Sequence, residues 1–260
     1  PSLKILRGKR VFIVGQSGIG KSTILETLGM MNNTVVPDSS SRFVFRDSKN
    51  NAVDLIALWH QGDCKLSQFR LRNYSFIFQS TNLMRNFTAY ENVAYTRMLQ
   101  GYPKEECFNK TRQLLEDLGL DHIDENRLTQ ELSGGQQQRL AFARAVIPDY
   151  TVLFGDEPTG NLDPENAMKV MRMLSRRCDE NGDASSIIVS HDMHLATTFA
   201  DVIIKIRKGF RPGKNSEAET SVYGIIDDKC VYYPVDDRSC WEGNGISMPQ
   251  SDFEDYLRKK

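Results

Sequence analysis

The chain has no stretch of about 18 consecutive apolar residues, the length at which a run reads as a helix crossing a bilayer. Its first ten residues hold Lys4, Arg7, Lys9 and Arg10 but no apolar run, so an export signal is not expected. An excess of one charge is also missing. The 33 Lys and Arg residues against 34 Asp and Glu leave a formal net charge of -1, which excludes a global attraction to nucleic acid or anionic lipid; any partner is recognised locally. Cysteine is sparse: Cys64, Cys107, Cys178, Cys230 and Cys240 are scattered, odd in number and nowhere in CxxC spacing. That pattern fits reduced thiols and argues against a disulfide framework or a thiolate metal site. Internal repeats and low-complexity tracts are absent. What is present, 260 residues of which 40% are hydrophobic and 26% charged, suffices to bury a core in one large or two small domains.

The apolar runs are short. Val11-Phe12-Ile13-Val14 is continuous and ends in glycine, which predicts a strand buried on both faces, with residues 22–28 following as a helix. Short strands are expected at 42–45 and 74–78, inside a polar section running from about 39 to 100. Residues 103–118 are helical in pattern, with Leu114, Leu115 and Leu118 on one face. A further helix is expected from Ser133, ending before Pro148 because proline cannot continue the ladder. Residues 152–154 and 187–189 read as central parallel strands with polar groups at their C-terminal ends, which places the chemistry at one edge of a sheet. Beyond Ile206, a basic loop over 207–214 is followed by strands at 222–226 and 230–235, read as a hairpin appendage. Ser251 and Glu254 have capping-box spacing and predict a terminal helix through Lys259.

Gly15-Gln16-Ser17-Gly18-Ile19-Gly20-Lys21-Ser22 fits the phosphate-loop pattern GxxxxGK[ST] in its required setting, after a predicted strand and before a predicted helix. Its glycines let backbone N–H groups face the phosphates, and the helix N-terminus adds a positive dipole. Lys21 reaches the β- and γ-phosphates, Ser22 offers a hydroxyl to Mg²⁺, and Thr23 completes the ATP-binding set. Asp156 and Glu157 end the run Val152-Leu153-Phe154-Gly155, where the first carboxylate sits beside the metal and the second orients or deprotonates the attacking water.

Leu132-Ser133-Gly134-Gly135-Gln136-Gln137-Gln138-Arg139 resembles the signature motif of ABC ATPases, upstream of Asp156 as in that family. The resemblance, over about residues 7–206, implies an α/β fold of the P-loop NTPase, ABC ATPase type, with a mixed sheet and a helical signature subdomain at about 80–147; the C-terminal β-rich appendage read above is unmatched by the family core. The resemblance divides the chain into an ATPase domain, 1–206, and an extension, 207–260, of hairpin plus short helix. It also implies that Ser133, Gly134, Gly135 and Gln136 close over ATP held by the opposite subunit of a head-to-tail dimer. Gln79 resembles the Q-loop glutamine that helps hold Mg²⁺ with Ser22 and Asp156, Asp163 the D-loop aspartate, and His191 the switch histidine acting with Glu157 and Lys21 in catalysis.

The Thr-Gly-Asn form of Asp156-Glu157-Pro158-Thr159-Gly160-Asn161-Leu162-Asp163 is similar to bacterial lipoprotein-release, macrolide-export and cell-division ATPases. That likeness implies integral membrane partner subunits, a place on the cytoplasmic face of the inner membrane, and a second copy or sibling ATPase as dimer partner, with no nucleic acid. The membrane subunit's contact is expected near 79–92, where Leu83, Met84 and Phe87 are apolar in a loop-like stretch; packing inside the helical subdomain is the alternative. Only fourteen residues precede Gly15. The adenine-stacking aromatic that the resemblance leads one to expect upstream is therefore absent or rebuilt from elsewhere. Two competitors are a soluble ABC ATPase acting on nucleic acid or ribosomes, supported only by the basic loop, and a nucleotide-switch module. The single uninterrupted cassette opposes the first, and the retained Glu157 and His191 oppose the second.

Overall fold

The structure, a computed structural model, describes residues 3–36, 38, 41–47, 49–160, 162–181, 184–211 and 221–259. The first apolar run forms β1 (Arg10–Val14), inside an eight-stranded sheet with both faces covered. Val11 to Val14 are all 0–1% exposed, which is why the run lacks polar alternation. Phe12 and Val14 join one apolar layer while Val11 and Ile13 join the other, as the two-residue period of a strand requires.

The phosphate loop leads into α1 (Lys21–Leu28). A small antiparallel pair follows, β2 (Val44–Arg46) with β3 (Ala52–Asp54), then α2 (Leu55–Trp59) and α3 (Asp63–Asn73). The first strand of this pair starts later than the expected 42–45 because its register against β3 runs from Val44 to Arg46. The chain returns to the main sheet as β4 (Tyr74–Ile77) and then builds a helical layer from α4 (Ala89–Leu99), α5 (Lys104–Asp117) and α6 (Gly134–Val146). Capping boxes start two of these helices: Thr88 with Glu91 on α4 and Ser133 with Gln136 on α6. The remaining core elements are β5 (Val152–Asp156), α7 (Pro164–Asn181), β6 (Ser185–Val189), α8 (Met193–Phe199) and β7 (Val202–Lys205). In space the parallel strands run β7-β1-β6-β5-β4.

Three expectations beyond Ile206 are corrected. Residues 207–211 of the expected basic loop are a strand, β8 (Arg207–Arg211), paired antiparallel with β9 (Ser221–Ile225); residues 212–214 lie outside the described residues. Gly209 read as a breaker, but it is the seat of an aromatic ring: a Cβ there would lie 2.5 Å from Cζ of Tyr223, its cross-strand partner. The two strands expected to pair with each other do not. β10 (Val231–Val235) instead adds antiparallel to β7, with Val231 opposite Ile204, and is followed by β11 (Cys240–Gly243) and β12 (Ile246–Pro249), so the main sheet continues into the C-terminal segment. The terminal helix α9 (Gln250–Arg258) begins before Ser251, with Pro249 at its N-cap and so no side-chain acceptor there, while Glu254 bonds to partners on α8.

Asp201 ties the two ends of the chain together. Its carboxylate accepts from Arg10 Nε at 2.9 Å, Arg10 Nη2 at 2.8 Å, the Arg10 amide at 2.9 Å and Arg238 Nη2 at 2.8 Å. Burial alone would raise its pKa, but the guanidinium hydrogen bonds hold the carboxyl below the usual carboxylate range. A depressed folded pKa contributes stability that is fully present above the ordinary carboxylate value and is lost as pH falls through the lower folded value. Asp201→Asn is therefore expected to lower unfolding free energy by about 2 kcal/mol at pH 7, read by urea denaturation. The two proteins should converge in stability as the pH falls through that lower value.

Candidate nucleotide-binding and hydrolytic site

Four strands deliver their C-terminal ends to one edge. Ile13 lies opposite Val189, Val189 opposite Asp156, and Gly155 opposite Ile77. The residues just beyond, namely Gly15, His191, Glu157 and Gln79, are thereby gathered at that edge although the sequence scatters them. This parallel register is what the short apolar runs predicted, and it is the reason the motifs meet.

Gly18 and Gly20 have φ of 75° and 98°, in the left-handed region that favours glycine. A Cβ at either would meet nothing within 4 Å, so their requirement is conformational and not steric. Gly20 is the N-cap of α1, which leaves the first-turn amides turned toward the loop. Lys21 is 6% exposed and folds back so that Nζ donates to the Gly15 carbonyl at 3.0 Å and the Gln16 carbonyl at 2.8 Å. Burial lowers its pKa from the ordinary lysine value, and the Glu157 and Asp156 carboxylates act the opposite way. Ser22 and Thr23 are exposed beside it, and Ile19 is buried against the sheet.

Glu157 and His191 are in contact, with 2.9 Å between Glu157 Oε1 and His191 Nε2. Glu157 has φ of 50°, a left-handed conformation costing a non-glycine residue about 1 kcal/mol. Two backbone hydrogen bonds hold it there: its amide donates to Val189 O at 3.0 Å, and its carbonyl accepts from Gly160 N at 3.1 Å. Backbone strain of this kind persists only where the surrounding structure holds it, and such residues cluster at functional sites. The cleft is open, about 770 Å³, and is lined by Glu157, Gly160, Leu162, His191, His194 and Arg258 among others.

The donors expected for magnesium are a hydroxyl from Ser22, a carboxylate from Asp156 and an amide oxygen from Gln79, which is exposed just after β4. Among the described residues no group of three or more His, Cys, Asp or Glu side chains is placed to hold an ion by itself. A hard-oxygen set with one carboxylate fits magnesium, which is held jointly by protein and phosphates and keeps several waters.

The other expected site residues take structural roles within this chain. Asp163 caps the start of α7, accepting from the Asn166 amide at 3.0 Å and from Asn166 Nδ2 at 2.6 Å; the side-chain hydrogen bond is the main reason its carboxyl lies below the usual range. Its neighbour Asn161 lies outside the described residues. Ser133 and Gln136 bond to each other's backbone, and Gln136 Nε2 is 2.9 Å from His122 Nε2. Gly134 and Gly135 face open space, leaving the α6 N-terminus free to approach an anion from outside the chain. In the 79–92 stretch Leu83 packs on the core, and Phe87 meets Tyr95 edge-on at 5.8 Å. The exposed large apolar residues nearby lie beyond this stretch, at Tyr95, Met98 and Leu99 of α4, with 41%, 37% and 52% exposure.

Sequence reasoning missed Arg258, which lines the cleft of Glu157 and His191 from the last turn of α9, and Glu254, which contacts the helix following His191. Arg258 belongs to no motif and Glu254 was read only as part of a capping box; the return of α9 to this edge is what reveals both.

Residues 1–160 match the family model described as ABC transporter. The chain is 40% identical over 208 residues to the macrolide export ATP-binding/permease protein MacB of Aggregatibacter actinomycetemcomitans, spanning 80% of this chain and 30% of that relative. It is 37% identical over 195 residues to the lipoprotein-releasing system ATP-binding protein LolD of Myxococcus xanthus, spanning 75% of this chain and 81% of the relative. Among solved structures, the ATP-binding cassette MJ0796, a dimer in a post-hydrolysis state bound to ADP and Pi, aligns with a TM-score of 0.67 and 30% identity, over 78% of this chain and 83% of that one.

Proposed function

The chain belongs to the ABC transporter family, and from that premise we propose that it is the ATP-binding, ATP-hydrolysing subunit of a membrane complex of the macrolide-export or lipoprotein-release type. The observation that carries the reading is the 2.9 Å contact between Glu157 and His191 at the sheet edge that also bears the phosphate loop. The loop amides and Lys21 hold the phosphates. Glu157 takes a proton from the attacking water, and His191 fixes the orientation of its carboxylate. Magnesium, when bound by Ser22, Asp156 and Gln79, neutralises charge on the phosphate oxygens. The site is completed by Ser133, Gly134, Gly135 and Gln136 of a second copy or sibling, with Asp163 at the same interface; the open approach to the α6 N-terminus supports this. Residues 1–206 serve as the ATPase domain and 207–260 as an extension of it.

The complex sits at the cytoplasmic face of the membrane through its partner, a placement supported by the relatives named as ATP-binding proteins of export and lipoprotein-releasing systems; no helix among the described residues is long and apolar enough to cross a bilayer. Cargo is a lipoprotein, peptide or hydrophobic drug; the relatives' names, lipoprotein-releasing and macrolide export, support the first and the last of these. The partner seats on α4, where Tyr95, Met98 and Leu99 lie at i, i+3 and i+4 and form one exposed apolar face. The test is to capture the tagged chain from detergent-solubilised native membranes and assay ATPase in the recovered complex. A stoichiometric membrane subunit supports the reading, and recovery of ribosomes or nucleic acid in its place overturns it. The variant Met98→Glu with Leu99→Glu is expected to reduce recovery of that subunit at least tenfold, leaving ATP binding and melting temperature unchanged.

A further inference from the structure

His191 lies in the three-residue connection between Val189, the end of β6, and Met193, the start of α8. Local bonds fix only part of this turn: the Asp192 amide donates to Ser190 Oγ at 3.0 Å, and Asp192 Oδ1 accepts from the Leu195 amide at 3.0 Å. The placement of His191 against Glu157 therefore depends on what holds the first turns of α8, and α8 has seven residues, too few to be stable alone.

Met193, Leu195, Ala196 and Phe199 seat α8 on the core, and Glu254 of α9 adds a polar hold on its outer side. One carboxylate oxygen, Oε1, accepts from Thr197 Oγ1 at 2.7 Å, lies 3.2 Å from His194 Nδ1, and accepts from Gln250 Nε2 at 3.3 Å. Thr197 is fully buried and Glu254 has 15% side-chain exposure, so water does not compete freely for the bond between them, whereas His194 approaches from the solvent side at 65% exposure. The Thr197 hydroxyl has one proton, and two backbone carbonyls of its own helix also lie within reach, at 3.1 Å and 3.2 Å. Its shortest contact is to Glu254.

A brace works only if its far end is stiff, and here it is. Phe253 is fully buried, stacks on Trp241 at 5.2 Å and meets Tyr232 at 5.1 Å; the Tyr256 hydroxyl is 2.8 Å from that of Tyr232. Lys205 Nζ, on β7, donates to the Tyr256 carbonyl at 2.6 Å. α9 is thus fixed to the sheet that carries His191. One turn beyond Glu254, Arg258 lies 3.8 Å from Glu254 Oε2 and lines the cleft that holds Glu157 and His191.

We propose that Glu254 is a positioning residue for hydrolysis: through His194 and Thr197 it sets the first turns of α8, and so holds the switch histidine against Glu157. The C-terminal segment is on this account part of the catalytic machinery and not a tail. The inference rests on the proposed hydrolytic reading, and its test separates the two.

The experiment compares wild type with Glu254→Ala, Glu254→Gln and His194→Ala in the full chain, by hydrogen–deuterium exchange over residues 190–199 and by ATPase kinetics. Glu254→Ala should exchange at least tenfold faster there and lose at least fivefold in kcat, with KM for ATP within twofold. Glu254→Gln keeps the accepting oxygen and should stay within twofold of wild type on both readouts. His194→Ala, at an exposed position that does not threaten folding, should move both partway in the same direction. Unchanged exchange in Glu254→Ala and His194→Ala overturns the brace. Faster exchange with unchanged kcat, or an equal loss in the alanine and glutamine variants, overturns its catalytic role. If wild type shows no turnover, the hydrolytic reading and the catalytic role fall together, while exchange still decides the brace.

Discussion

Glu157→Gln is expected to lower the steady-state ATPase rate of the partner-bound complex at least a hundredfold while leaving ATP binding within a few-fold of wild type. Proton transfer by a positioned side chain contributes roughly 10² to 10⁴ in rate, and glutamine cannot accept a proton at neutral pH. It does keep the size of the glutamate, and its carbonyl oxygen can still accept from His191 where Glu157 Oε1 now lies 2.9 Å from Nε2. The left-handed backbone, held by Val189 and Gly160, is also untouched. The phosphate loop and Lys21 therefore still hold the nucleotide, and the variant should accumulate the ATP-bound closed dimer, visible as a shift in size-exclusion chromatography. A rate within twofold of wild type would sink the assignment of Glu157 as the base.

The second large effect concerns stability. Trp241→Ala is expected to destabilise the whole protein by about 3–4 kcal/mol, from the transfer of a large aromatic side chain and the cavity it leaves. The indole is 0% exposed, is stacked on Phe253 with an interplanar angle of 13°, and belongs to the same apolar layer as Leu140 of α6 and Leu174 of α7. Its Nε1 is buried without a hydrogen-bond partner, so the substitution also removes a small unfavourable contribution, which holds the loss below the upper end for tryptophan. For a chain of this size the melting temperature should fall by about 10 °C in a single transition. Two transitions, with the larger at the wild-type temperature, would mean that the C-terminal segment unfolds as a separate unit.

That single transition is not foreseeable from sequence. Residues 222–226 and 230–235 read as two strands close together, the usual sign of a hairpin, yet β9 pairs with β8 and β10 with β7. Strand propensity is carried by the residues themselves, but the choice of partner depends on the apolar surface each pairing buries. Tyr232 is 2% exposed only because β10 runs beside β7 and beneath α9. The capping-box spacing at Ser251 failed too: Pro249 is the N-cap of the helix, and Glu254 bonds to Thr197 and His194, far away along the chain.

The amino-acid sequence alone determined the chemistry. A phosphate loop needs consecutive amides in one tight turn, a capping box needs positions three apart, and a carboxylate at a strand end needs only the apolar run before it, so each of these is written within a few adjacent residues. It also determined the buried parallel strands, because runs such as Val11 to Val14 have no polar face to turn toward water. Tertiary structure alone decided which residues stand behind the motifs: the Arg10–Asp201–Arg238 cluster, Arg258 at the lip of the cleft, and Glu254 against α8. These contacts join segments that meet only once the sheet has formed, and their energies come from burial and exclusion of water, which no spacing along a chain records.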